Sequence, residues 1–170
     1  GYFNYKIGND WRPNSSFEAR NLFVSYNIKT SDYSKLRFEF TKMQYLAQQP
    51  GGLTDNQFYL NTDSSLRSRN WFNVDWNLGA IHYDYEFNST TKINSRTFGL
   101  VASRKAIGNM DKPFYQDFMQ NRNIISGEFK NIGNETRFLH LYDVNKNPSA
   151  LLLGARVYRG SVSYTHLRAH

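Results

Sequence analysis

The sequence contains no cysteine. Disulfides, thiolate metal sites and thiol nucleophiles are therefore excluded, and the redox compartment is left open. Nowhere does an apolar run approach the roughly 18 residues that a membrane-spanning helix requires. That absence does not bear on transmembrane β-strands, which are short, alternating and individually weak signals. Proline is scarce, with 4 in 170 residues, and Lys and Arg outnumber the acids, 21 against 14, for a formal net charge of +7. The basic residues are scattered without a block and no nucleic-acid motif accompanies them, so no nucleic acid is expected as a partner. The chain opens on "GYFNYKIGND" in mid-pattern, with neither Met nor signal peptide, and this predicts a segment of a longer protein.

Aromatic residues are abundant: 13 Phe and 12 Tyr within an apolar content of only 39%. That mixture suits strands with one greasy and one polar face, and it argues against disorder. Period-two alternation confirms strands. In "RNLFVSYNIKT", Leu22, Val24, Tyr26 and Ile28 share one face; in "KLRFEF", Leu36, Phe38 and Phe40 do. In "WFNVDWNL", Phe72, Val74, Trp76 and Leu78 oppose Asn73, Asp75 and Asn77. After Ala80 the phase reverses, so that Ile81, Tyr83 and Tyr85 oppose His82 and Asp84, and a bulge is the expected cause. Further strands follow in "KINSRTFGLVAS", "RNIISGEFKNIGNETRFLHLYDV" and "ALLLGARVYRG". Helices are not expected, because Asn, Gly and Thr interrupt every three-and-four spacing.

The connections alternate in length. They are long at 10–16, 48–69 and 107–121, and short at 31–34, 88–91 and 145–149. An up-and-down meander places all the short turns at one rim and all the long loops at the other, the arrangement of outer-membrane barrels. A soluble β-sandwich has no reason to sort loops by rim. The Gln-Pro-Gly-Gly stretch at 49–52 fits a strand leaving the wall for a long loop, where Pro removes a donor and Gly permits turn geometry. At the other end of the chain, "VSYTHLRAH" (162–170) resembles the translation of a sequencing adapter, which would leave 1–161 as the natural segment.

Four motifs in order carry a family resemblance: "DWRPNSSFEARNLFVSYNI", "QQPGGLTDNQF", "SSLRSRNWFNVDWNL" and "RTFGLVASRKAIG". Together they resemble the barrel of TonB-dependent outer-membrane transporters of the ferric-citrate type. The resemblance implies about seven strands of a 22-stranded transmembrane barrel. It implies import of a ferric chelate powered by TonB, which acts through a plug domain this chain lacks. The implied partners are the chelate, outer-membrane lipid and TonB, with localisation in the outer membrane of a Gram-negative bacterium and no cofactor. Transport of cobalamin or an oligosaccharide, and a soluble β-sandwich binding module, are the alternatives.

Ferric chelates are anionic, and the planar fork of Arg matches carboxylates bidentately. In the resembled family, arginines at the outer end of one strand and the start of the next contact the chelate; by position these are Arg104 in "ASRKA" and Arg122 in "QNRNI". Arg104 shares parity with Phe98, Leu100 and Ala102, which raises the question of which way it points. Arg67 and Arg69 flank the Pro-Gly-Gly loop and are further ligand-binding candidates through their positive field. Trp71, Phe72 and Trp76 read as an aromatic girdle or lipid-facing residues. No enzyme constellation is present: "SRK" and "SLRSR" lack a base or nucleophile, Glu39 and Glu128 lack a paired acid, and His82 with Asp84 lacks a third metal ligand.

Overall fold

The structure, a computed structural model, describes residues 1–9, 11–110 and 112–169. Its strands are β1 (Tyr2–Gly8), β2 (Phe17–Ser31), β3 (Ser34–Gln48), β4 (Trp71–Asn88), β5 (Thr91–Gly108), β6 (Arg122–Val144) and β7 (Asn147–Ala169). They form one antiparallel sheet in chain order, so the expected all-β meander is what is found. The two-layer sandwich is overturned, because there is a single sheet with β1 and β7 at its edges.

Among the described residues the buried apolar set is only Ala47, Val74, Ala80 and Ala102. The chain exposes 12032 Å², whereas a compact globular protein of this mass exposes about 8,700 Å². The excess is the area of a wall whose two faces are not covered by a second layer.

The loops sort by rim as expected. Two-residue turns at Asp32–Tyr33, Ser89–Thr90 and Asn145–Lys146 close one rim, and connections 9–16, 49–70 and 109–121 occupy the other. Asn145 and Lys146 have φ of 50° and 68°, the left-handed pair that a two-residue hairpin turn requires. Pro148 sits inside β7 opposite Asp143, which is tolerable because β7 is an edge strand. Residues 162–169 continue β7, from Val162 opposite Phe129 to Ala169 opposite Arg122; backbone pairing demands no particular side chain. His170 lies outside the described residues.

Register corrects the bulge expected after Ala80. The β3–β4 pairing runs without irregularity from Gln48–Trp71 to Ser34–Tyr85, and the β4–β5 pairing is regular from Trp71–Ile107 to Glu86–Lys92, shifting only between Glu86 and Asn88. The phase reversal is therefore a change of face. One face carries Ile81 with Phe38, Val24, Tyr26 and Tyr83; the other carries His82 with Arg37, Glu39 and Arg96. Toward the long loops, Phe72, Val74, Trp76 and Leu78 lie on the His82 face, and Asn73, Asp75 and Asn77 on the Ile81 face. Phe72 and Trp76 are thus opposite to the aromatic rows with which they were grouped, while Trp71 is on the Ile81 face.

A short helix, α1 (Asp55–Leu60), breaks the expectation of no helix. Thr54 and Gln57 form a reciprocal capping box at its start. The spacing Thr-x-x-Gln was legible in the sequence and is the signal that would have found it.

Candidate functional site

The three long connections meet in one ordered cluster at the loop rim. Arg12 Nη2 donates to Gly51 O at 2.6 Å and Asn14 Nδ2 to Gln49 O at 3.1 Å, joining loop 9–16 to loop 49–70. Gly52 N–H donates to Pro113 O and Asp117 N–H to Leu66 O, joining loop 49–70 to loop 109–121. Asn70 and Asn109 exchange side-chain and backbone hydrogen bonds at 2.8 and 2.9 Å. Gly51 is required here: its φ is +83°, and a Cβ would stand 2.7 Å from Pro113 O.

Arg67 and Arg69 are central to this cluster. Arg67 is 1% exposed and donates from Nη2 to Lys112 O at 2.7 Å. Arg69 grips Asp117 with a two-pronged fork, Nε to Oδ2 at 3.0 Å and Nη2 to Oδ1 at 2.9 Å, and also donates to Gln120 O. The Arg69 hydrogen bonds hold the Asp117 carboxyl below the usual carboxylate range, aided by the Met119 N–H, against the burial that opposes ionisation. These two guanidiniums therefore tie loops that are roughly fifty residues apart in sequence.

Arg104 and Arg122 are not brought together. Arg104 lies on the His82 face between Val74 and Gly127, exposed, with its guanidinium 5.7 Å from the Phe72 ring centroid. Arg122 opens β6 in the row of Ile124 and Ser126, on the Ile81 face. Toward the short turns the His82 face is charged, with Glu39 hydrogen-bonded to His82 at 3.0 Å and Arg37 beside it. Asp84 accepts from Asn94 in the same rows, so His82 and Asp84 have separate partners. No cluster able to hold a metal is present among the described residues.

Sequence reasoning did not anticipate a pocket of about 370 Å³ in loop 109–121, lined by Asn109, Phe114, Tyr115, Gln116, Phe118 and Gln120. Nearby rim aromatics stand in the open, with Tyr59 85% and Trp11 66% exposed.

No family model and no curated protein sequence matches this chain. A solved structure does: the unliganded form of the ferric citrate transporter FecA, with a TM-score of 0.87 at 16% sequence identity. The match covers 98% of this chain and 24% of that one, so the chain spans about a quarter of the transporter's length. The fold of this chain is thus that of a barrel-wall segment similar to the one in FecA.

Proposed function

We propose that this chain is part of the barrel of an outer-membrane transporter that imports a ferric chelate with energy delivered by TonB through a plug domain elsewhere in the parent protein. The observation that carries this reading is the exchange of polarity between faces along β2, β3 and β4. A wall that crosses a bilayer and continues into water needs a hydrocarbon outer face over part of its height and a polar outer face beyond it. The Ile81 face meets that demand, so it is the outer face and the His82 face lines the lumen. Strand length agrees: β6 has 23 residues and β4 and β5 have 18 each, whereas a tilted crossing takes roughly 9–11. Where polar side chains interrupt the apolar part of the Ile81 face, they satisfy one another: Ser95 with Thr136 at 2.8 Å, and Asn134 Nδ2 donating to Thr97 Oγ1 at 2.9 Å. Hydrocarbon provides no other partner.

Within this reading Arg104 makes the direct contact with the anionic chelate, from the lumen face near the mouth. Arg67 and Arg69 hold the mouth loops; Arg67 adds positive field over the mouth, while the Arg69 charge is balanced by Asp117. Arg122 stands at the rim on the opposite face, and residues 162–170 stay outside the natural barrel sequence. Expression of the intact parent gene in an iron-starved transport mutant tests the proposal. Ferric citrate uptake is expected, and Arg104→Ala should weaken binding by roughly tenfold to a hundredfold, the loss of one charged hydrogen bond. A membrane-inserted protein that takes up no ferric chelate would reject it.

A second reading is import of an oligosaccharide. The aromatic and carboxamide lining of the 109–121 pocket favours it, because sugars stack on rings and hydrogen-bond to amides. Growth of the same strain on an oligosaccharide, lost with Tyr115→Ala, distinguishes the two.

A further inference from the structure

Midway along the wall Gly79 of β4 and Gly99 of β5 stand directly opposite one another. Glycine weakens a strand interior and normally marks a bulge, a bend or a close approach by something else. A bulge is excluded, since pairing is unbroken on both sides of each residue. Neither glycine has a positive φ. Crowding is excluded too: a Cβ on Gly79 would meet nothing within 4 Å, and one on Gly99 would meet only Asn131 O, at 3.6 Å. Phe40 is paired with Gly79, yet its ring does not lie over it. The fold itself therefore gives no reason for either glycine.

What the pair leaves is a groove of about 380 Å³ on the Ile81 face, walled by Val24, Phe38, Phe40, Ile81, Thr97 and Ile132. Cations stand beside it. Arg159 is paired with Ile132, which is paired with Gly99, so it lies two strand spacings, roughly 10 Å, from the glycine floor. Lys130 is the diagonal neighbour of Gly99 on the side of the long loops, roughly 7–8 Å away. Both are exposed, and among the described residues neither has an ion-pair partner. The nearest carboxylates on this face are Glu128, in line with Lys130, and Asp75, which already accepts from Gln44 and Asn77.

We propose that the groove seats one acyl chain of a phosphate-bearing membrane lipid, with Lys130 and Arg159 binding the phosphate. The inference rests on the Ile81 face being the lipid face. An acyl chain matches an open apolar trough that no side chain fills, and long basic side chains beside it reach outward to a headgroup. Ordinary lipid contact needs neither the trough nor the paired glycines. The site is thus a selective seat on the outside of the wall, remote from the cargo path.

The full-length parent protein, extracted in a non-ionic detergent, is titrated with dioleoyl phosphatidic acid and with dioleoylglycerol, and bound lipid is counted by native mass spectrometry. The wild type should hold the phosphatidic acid roughly tenfold more tightly, in line with two basic residues near an anionic group. Lys130→Gln/Arg159→Gln should abolish the difference between the lipids. Gly79→Leu/Gly99→Leu should weaken both lipids while the folded band on an unheated gel persists. Equal retention of the two lipids by the wild type overturns the inference, as does a preference unchanged by the charge variant, whose exposed positions leave folding intact. A protein that does not fractionate with the outer membrane overturns the lipid-face reading and this inference with it. Correct fractionation with equal lipid retention overturns the inference alone.

Discussion

The two halves of β4 have opposite chemistry on the same backbone. From Phe72 to Leu78 the apolar residues point to the His82 face, and from Ile81 to Tyr85 they point to the other. Val74 is 8% exposed and Ile81 is 45%, although Trp76 of the loop-side row, at 46%, is as open as Ile81. The loop-side row is packed among neighbouring side chains, with Phe17 and Tyr45 rings 6.0 Å apart and the Arg104 guanidinium over Phe72. The turn-side row packs along its own strand, with the Tyr85 ring 6.3 Å from Tyr83 and 4.8 Å from Phe87. Apolar rows on opposite faces meet different surroundings, and a single strand here supplies both.

The sharpest way to break this comparison is a charge on each half of one face. Ile81→Arg in the parent barrel should destabilise it by about 1–2 kcal/mol, the cost of a cation on a lipid-facing position between the interface and the bilayer midplane. Asn77→Arg, two pairs nearer the loops on the same face, should cost about 0–1 kcal/mol. Urea unfolding of the barrel in lipid vesicles measures both, and equal effects would erase the distinction between the halves.

The loop cluster sharpens the comparison from the other side, since it is held by polar contacts where the turn-side wall relies on apolar ones. Gly51→Ala forces a side chain into a left-handed conformation against Pro113 O, at a cost of about 1–3 kcal/mol. Faster chymotryptic cleavage at Phe58 and Tyr59, with unchanged barrel unfolding, is the expected result.

The smallest effect is that of pH. Asp117 is held below its ordinary value of 3.8 in the folded cluster. Its contribution is therefore fully present above that value and is lost as pH falls through the lower folded value. The loop-cleavage rate, taken with pepsin at acid pH and normalised at each pH to cleavage of an unfolded peptide, should stay flat from neutral pH down to about 4 and rise only below it. Asp117→Asn should raise it already at neutral pH.

Much of the fold was legible because it is local. Alternation from Leu22 to Ile28, the turn residues at 32–33 and 145–146, and the sorting of loop lengths each follow from neighbours in sequence. The capping box at Thr54 was equally local and was overlooked. The candidate site was far less legible. Arg67 and Arg69 are legible in sequence as cations flanking the Pro-Gly-Gly loop, yet their partners Lys112 and Asp117 lie 45 and 48 residues away. Arg104 and Arg122 flank one loop in sequence, but strand parity sends them to opposite faces.

The amino-acid order by itself determined which segments are strands, which residues alternate, and which rim receives the long crossings, because periodicity and turn chemistry act over a few residues. It did not determine which rows share a face across neighbouring strands, since a reversal of phase has the same appearance whether a bulge intervenes or the surroundings change. Only the hydrogen-bond register between β3, β4 and β5 decided that. Side chains alternate with a period of two, so one residue of slip exchanges every face, and that slip is set by partners far along the chain.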